Sequence, residues 1–134
     1  MDHYTLVRPE HLNHQGFLFG GCMLKWVDEY AWLTASLDFD GCALVTVAMD
    51  SIVFKERVLN GSILRFSILP RAQGRTSVRY SVEVFADEPE MTRGRKVFST
   101  LITFVRVDEH GNKTPLPALP GYRSKGGAPG AQPG

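Results

Sequence analysis

The sequence predicts an α+β fold in which a five-stranded antiparallel sheet wraps around one central helix. Two observations lead there. A proline-free stretch from Gly20 to Ser36 has helical spacing with almost no polar face. The segments after it have the length and residue types of strands, and short connections separate them. The scale fits, because 134 residues with 43% hydrophobic and 22% charged content suit one domain that buries a core.

Taken in order, a first strand is expected near Tyr4 to Val7. In the helix, GGCMLKWVDEYAWLTAS, only Lys25, Glu29 and Ser36 share a narrow polar stripe. Cys22, Met23, Leu24, Trp26, Val27, Ala31, Trp32, Leu33 and Ala35 cover the rest of the circumference, so other structure should enclose the helix. CALVTVAM at 42–49 is an unbroken apolar run, and SILRFSIL at 62–69 follows an Asn60-Gly61 turn signal. Both are expected to be well buried. SVRYSVEVFA at 77–86 alternates, with Val78, Tyr80, Val82, Val84 and Ala86 on one face, as a half-buried antiparallel strand does. KVFSTLITFVRV at 96–107 continues the pattern, and the connections AQGR and DEPEMTRGR suit hairpins. Gly and Pro dominate the end of the chain. A single domain over 1–121 and a disordered tail over 122–134 are expected.

Charge and cysteine usage narrow the function. A formal net charge of +1 gives no global pull toward nucleic acid or an anionic membrane, and neither is an expected partner. Cys22 and Cys42 lie in apolar stretches without metal-site or redox spacing, as buried free thiols do. No segment has the ~18 unbroken apolar residues of a membrane helix, so a soluble, cytoplasmic protein is expected. His11 and His14 flank Asn13 without a third ligand in reach, and no metal or other cofactor is expected.

The chemistry concentrates between Asn13 and Asp28. Gly16 in the loop and Gly20-Gly21 at the helix start let backbone amides approach a ligand, and the first helical turn offers free N–H groups with partial positive charge. Such donors suit an oxyanion. Asp28 shares a sector with Leu24, Ala31, Trp32 and Ala35 rather than with Lys25 and Glu29. By position alone it fits a boundary carboxylate capping nearby backbone as well as a reactive one.

The motif Asn13-x-x-Gly16, then Phe19-Gly20-Gly21, then Asp28, resembles the acyl-CoA thioesterases typified by the bacterial YciA enzymes and the eukaryotic cytosolic acyl-CoA hydrolases. The resemblance continues through Val45-Thr46-Val47-Ala48, Ser51, Phe54, Gly61, Gly74-Arg75-Thr76-Ser77 and Phe104-Val105-Arg106-Val107-Asp108, spanning roughly residues 5 to 115. It implies a hotdog fold, a catalytic carboxylate at Asp28, and an Asn13 that reaches the thioester from a partner subunit. A homodimer or higher homo-oligomer, such as a dimer or trimer of dimers, follows from that. Arg57 in place of proline, Gly61-Ser62 in place of Gly-Asp, and Cys22 in place of a bulky residue depart from the pattern without removing a catalytic group.

The expected reaction is hydrolysis of an acyl-CoA to free acid and CoA. Asp28 acts either as general base on water or as nucleophile, and the sequence leaves both routes open. Thr46 is a candidate to hold the water or Asp28. For the CoA phosphates and backbone the candidates are Lys55, Arg57, Arg75, Thr76 and Ser77, with Gly16 and Ser51 beside them. Two alternatives remain: a hydratase or dehydratase pairing His11 or His14 with Asp28 or Glu29, and a non-catalytic acyl-CoA binding module.

Overall fold

The structure is a computed structural model that describes residues 1–88 and 94–119. The 122–134 tail expectation, and part of the connection after Asp87, lie outside these residues. The elements are β1 (Asp2–Leu6), a short 3-10 turn (Pro9–His11), α1 (Gly20–Asp38), β2 (Ala43–Phe54), β3 (Ile63–Gln73), β4 (Ser77–Asp87) and β5 (Arg95–Val107). The strands form one antiparallel sheet in the order β1-β3-β4-β5-β2, with α1 packed on one face. The predicted fold class is the observed one.

The inward face of the sheet carries Leu64, Phe66 and Ile68 of β3, Val78, Tyr80, Val82 and Val84 of β4, and Phe98, Ile102 and Phe104 of β5, all at 0–1% exposure. Against it α1 sets Met23, Val27, Ala31, Thr34 and Ala35, spaced so that one stripe faces the sheet. Two small alanines a turn apart bring the helix axis close to the sheet. At the far end of the helix the fully buried Tyr80 donates its hydroxyl to Asp38 Oδ2 at 2.7 Å, and burial with this bond pushes the phenol well above its ordinary pKa.

Two expectations are corrected. The helix is not enclosed all round: Trp32, Leu33 and Leu37 are exposed, because the sheet covers one side only. Nor is β2 well buried. It is an edge strand, paired among the described residues with β5 alone, and Val45, Val47, Ile52, Val53 and Phe54 remain exposed while Leu44 is covered. β2 also runs past its expected end to Phe54, through register shifts at Thr46/Ala48 and Asp50/Val53. Within the second shift, Ser51 holds a φ of 53°, an uncommon value for a residue with a side chain. β3 likewise continues through Pro70 to Gln73, and a register shift between Pro70 and Ala72 accommodates the missing N–H. Cys22 and Cys42 are free thiols but half-buried rather than buried, and burial raises the Cys22 pKa.

His3 ties β1 to the helix. Its ring stacks on Tyr30 with centroids 4.9 Å apart, and Nε2 lies 2.9 Å from Thr34 Oγ1. The Thr34 hydroxyl in turn lies 3.0 Å from the Tyr30 carbonyl. Burial, then the nearby chain N-terminus, lower the His3 pKa against an opposing pull from Asp2.

Two outcomes follow for stability. Tyr80→Phe removes a hydrogen bond to a carboxylate and should destabilise the fold by about 1.5–3 kcal/mol in denaturant unfolding; an unchanged midpoint would show that bond to be idle. With its folded pKa lowered, His3 binds fewer protons folded than unfolded, so its contribution is present above the unfolded value of about 6.5 and is lost as pH falls below it. His3→Phe, which keeps the stacking, should therefore flatten the acid side of the stability profile. A profile parallel to wild type would contradict this.

Candidate active site

The Asn13 loop is a small closed hairpin. Leu12 and Leu18 bridge across it, and Phe17 bridges to Leu59. The Asn13 N–H donates to the Phe17 carbonyl at 2.7 Å, while its side-chain Oδ1 accepts from the N–H groups of Gln15 (2.9 Å) and Phe17 (3.1 Å). With Oδ1 committed to its own loop, the amide nitrogen of Asn13 is left pointing outward as a donor. Gly16 closes the turn at a φ of 87°, a conformation that favours glycine.

The loop leads directly into α1. Phe19 is the N-cap residue, and its carbonyl accepts from Cys22 and Met23. Among the described residues no acceptor takes the Gly20 or Gly21 N–H. These two donors lie at the positive end of the helix dipole, and Gly20 shares a cavity with Asn13. A Cβ on Gly21 would lie 2.6 Å from the Phe19 ring, whereas one on Gly20 would make ordinary contact with Phe54. A side chain at Gly21 would therefore have to displace the exposed Phe19 ring.

Asn13 and Gly20 line a cavity of about 780 Å³ together with Phe54, Lys55, Arg57 and Arg95. That volume is within the roughly 300–1,000 Å³ of small-molecule sites. Its lining carries these three cations and two carboxylates, Glu56 and Glu88. The Arg57 guanidinium lies over the Phe17 ring, 4.7 Å from its centroid, and Arg95 is held between Glu56 and Glu88. Arg95 escaped the sequence reading: Glu56 is far from it in the chain, and the connection holding both Glu88 and Arg95 was read only as a hairpin. Phe54 entered that reading only as a piece of the resemblance.

Asp28 occupies a second location. It is half-buried on α1, and Thr46 of β2 donates a 2.7 Å hydrogen bond to its Oδ1. Among the described residues Oδ2 has no partner. The structure therefore brings Thr46 to Asp28, as expected, but it does not bring Gly20, Gly21 or Asn13 there. Gly20 and Asp28 are about two turns apart, roughly 12 Å along the axis, and the helix N–H groups point away from Asp28. One carbonyl cannot touch both within a single chain.

The Arg75-Thr76-Ser77 turn lies in a third place. It joins β3 to β4 at the end of the sheet where β2 begins, opposite the end where Lys55 and Arg57 follow β2. A strap after β5 backs it: Leu116 donates its N–H to the Arg75 carbonyl, and Gln73 holds Pro117 and Leu119. Ser51 is on the exposed edge of β2 between these two ends.

The histidines have other work. His11 Nδ1 accepts the Arg8 N–H at 3.0 Å, and its ring meets Trp26 edge to face at 4.8 Å. His14 is exposed, and no group of metal-ligating side chains forms among the described residues. No described helix is long and apolar enough to cross a membrane.

Comparison with known proteins places the fold in a family. A family model described as the thioesterase superfamily matches residues 15–92. An uncharacterised acyl-CoA thioester hydrolase of Zymomonas mobilis is 32% identical over 115 residues, 86% of this chain and 76% of that protein. Acyl-coenzyme A thioesterase 11 of Mus musculus is 32% identical over 100 residues, of which this chain spans only 17% of the relative's length against 75% of its own. Among solved structures, an apo-hexameric acyl-CoA thioesterase superposes with a TM-score of 0.81 at 33% identity, covering 87% of this chain and 74% of that one. An acyl-CoA hydrolase of Staphylococcus aureus, solved with an asparagine replaced by alanine and coenzyme A bound, gives 0.80 at 25% identity over 88% and 70%. The same hydrolase has been solved with an aspartate or a threonine replaced by alanine. With a family model covering more than half of its length and a relative 32% identical across 86% of it, this chain belongs to the thioesterase superfamily.

Proposed function

We propose that this chain is an acyl-CoA thioesterase that works as a homodimer or higher homo-oligomer, with each site built from two copies. The observation that carries the reading is the separation along α1. A carboxylate with one oxygen held by Thr46 and the other free sits about two turns from the unpaired Gly20 and Gly21 donors. Both halves suit thioester hydrolysis, and a second copy is what would unite them.

The free edge of β2 supports that pairing. Two copies related by a two-fold axis would set their β2 strands antiparallel, with the Phe54 end of one beside the Ala43 end of the other. Such a pairing would cover Val45, Val47, Ile52 and Val53. It would also bring the Arg75-Thr76-Ser77 turn of one copy toward Lys55 and Arg57 of its partner, so the cations proposed for the CoA phosphates would gather at one groove. The hexameric thioesterases among the structural neighbours are in keeping with this assembly. The cytosolic acyl-CoA hydrolases among the relatives make the cytoplasm the expected compartment.

In the proposed reaction the thioester carbonyl oxygen takes hydrogen bonds from the Gly20 and Gly21 amides and the Asn13 side chain. Asp28 Oδ2 of the other copy removes a proton from water, whose oxygen attacks the carbonyl carbon. The C–S bond then breaks, and the proton passes to the leaving thiolate of CoA. In the alternative route Oδ2 itself attacks and water cleaves the resulting anhydride. His11 Nδ1 is occupied by the Arg8 amide, which counts against His11 as the base of the hydratase reading.

Asp28→Asn should lower kcat for thiol release by roughly 10²–10⁴-fold. Asn13→Asp keeps the loop acceptor but replaces the donor, and should cost roughly 10²–10³-fold with an unchanged melting temperature. Full activity in either folded variant would refute the site; binding of CoA esters by wild type without any thiol release would favour the binding-module reading.

A further inference from the structure

Among the residues lining the Asn13 cavity, Arg95 joins three acceptors. Its guanidinium pairs with the Glu56 carboxylate, Nη2 donates to the Arg57 carbonyl at 3.2 Å, and the same nitrogen lies 2.7 Å from Glu88 Oε2. The Glu88 side chain is 2% exposed and that of Glu56 is 50% exposed, so the cluster is anchored at its Glu88 end. A buried carboxylate stripped of its partner is costly, and Glu88 thereby holds Arg95 in place.

Arg95 in turn grips the segment that follows β2. Lys55 and Glu56 both direct their N–H groups to one carbonyl, that of Val97, at 2.8 and 3.4 Å, so the strand ladder is ending there. From Arg57 the contacts run on to the Asn13 loop. Its guanidinium covers the Phe17 ring, Leu18 donates its N–H to the Val58 carbonyl at 2.9 Å, and Phe17 bridges to Leu59. Phe17 is the residue whose N–H and carbonyl both hold Asn13.

We infer that Arg95 is a positioning residue of the active site: anchored by Glu88, it fixes the 55–57 segment and, through Arg57 and Phe17, aims the Asn13 donor. The inference rests on the reading of Asn13 as a donor to the thioester and of Lys55 and Arg57 as cations for CoA. Arg95 need not touch the substrate. Displacing a positioned group by about 1 Å can cost on the order of 10²-fold in rate, so a loosened segment should be felt in kcat. A lysine at position 95 keeps the charge beside Glu88 but lacks the planar fork that reaches Glu56 and the Arg57 carbonyl together.

The test is thiol release from whichever of acetyl-, butyryl-, octanoyl- and dodecanoyl-CoA wild type hydrolyses fastest, with melting temperatures recorded. Arg95→Lys should lower kcat by roughly ten-fold and raise KM several-fold. Arg95→Met combined with Glu88→Gln strands no buried charge and is the check should the lysine variant fail to fold; it should do the same. In an Asn13→Asp background, Arg95→Lys should still raise KM but lower kcat no further, because both changes act through one donor. Arg65→Lys is the control: Arg65 also pairs with an acid and stacks on a phenylalanine but is absent from the cavity lining, and kcat should stay at the wild-type value. Wild-type kcat in the folded Arg95 variants, a kcat loss that multiplies with that of Asn13→Asp, or an equal loss in Arg65→Lys would overturn the positioning role. Absence of thiol release by wild type from every ester would instead refute the thioesterase reading, and the inference falls with it.

Discussion

The seating of α1 on the sheet governs everything else in this molecule. Val27, Ala31 and Ala35 are fully buried, and the short alanine side chains let the helix lie close over Phe66, Tyr80 and Phe104. Because Asp28 follows Val27 directly, it is carried to the margin of that contact, where β2 presents Thr46. A larger residue at position 31 would lift the helix and part the Asp28–Thr46 pair, so the packing of the core and the geometry of the site are one constraint.

A rigid helix also fixes what the chain cannot do alone. Its first-turn amides and Asp28 are held about two turns apart, with the amides pointing the other way. No side-chain rotation closes that distance. The exposed apolar residues of β2 and the donor set of the Asn13 loop are then two faces of the same incompleteness. Each is satisfied if a second copy is laid along the β2 edge, which makes oligomerisation part of the proposed chemistry and not an addition to it.

How much of this the sequence disclosed depended on the range of the interactions involved. β4 was fully legible, because strict alternation is a local property, and its five inward residues, Val78 to Ala86, are all at 0–1% exposure. The Asn13 loop and the helix start were legible from Gly and Asn positions for the same reason. β2 was misjudged as buried because an unbroken apolar run states only that its side chains avoid water, and among the described residues nothing covers most of them. Trp32 and Leu33 were misread in the same way. Arg95 was missed, since Glu56 becomes its neighbour only through strand pairing, although Glu88 stands at the other end of a connection already read as a hairpin. The separation of the Arg75 turn from Lys55 likewise depends on which end of the sheet each occupies.

The two-copy site is tested most directly by mixing Asp28→Ala and Asn13→Asp proteins, each nearly inactive, under conditions that allow subunits to exchange. A hybrid dimer would contain one site carrying both substitutions and one carrying neither, so statistical exchange should restore roughly a quarter of wild-type activity. A mixture no more active than its components, with exchange verified, would contradict a site shared between copies.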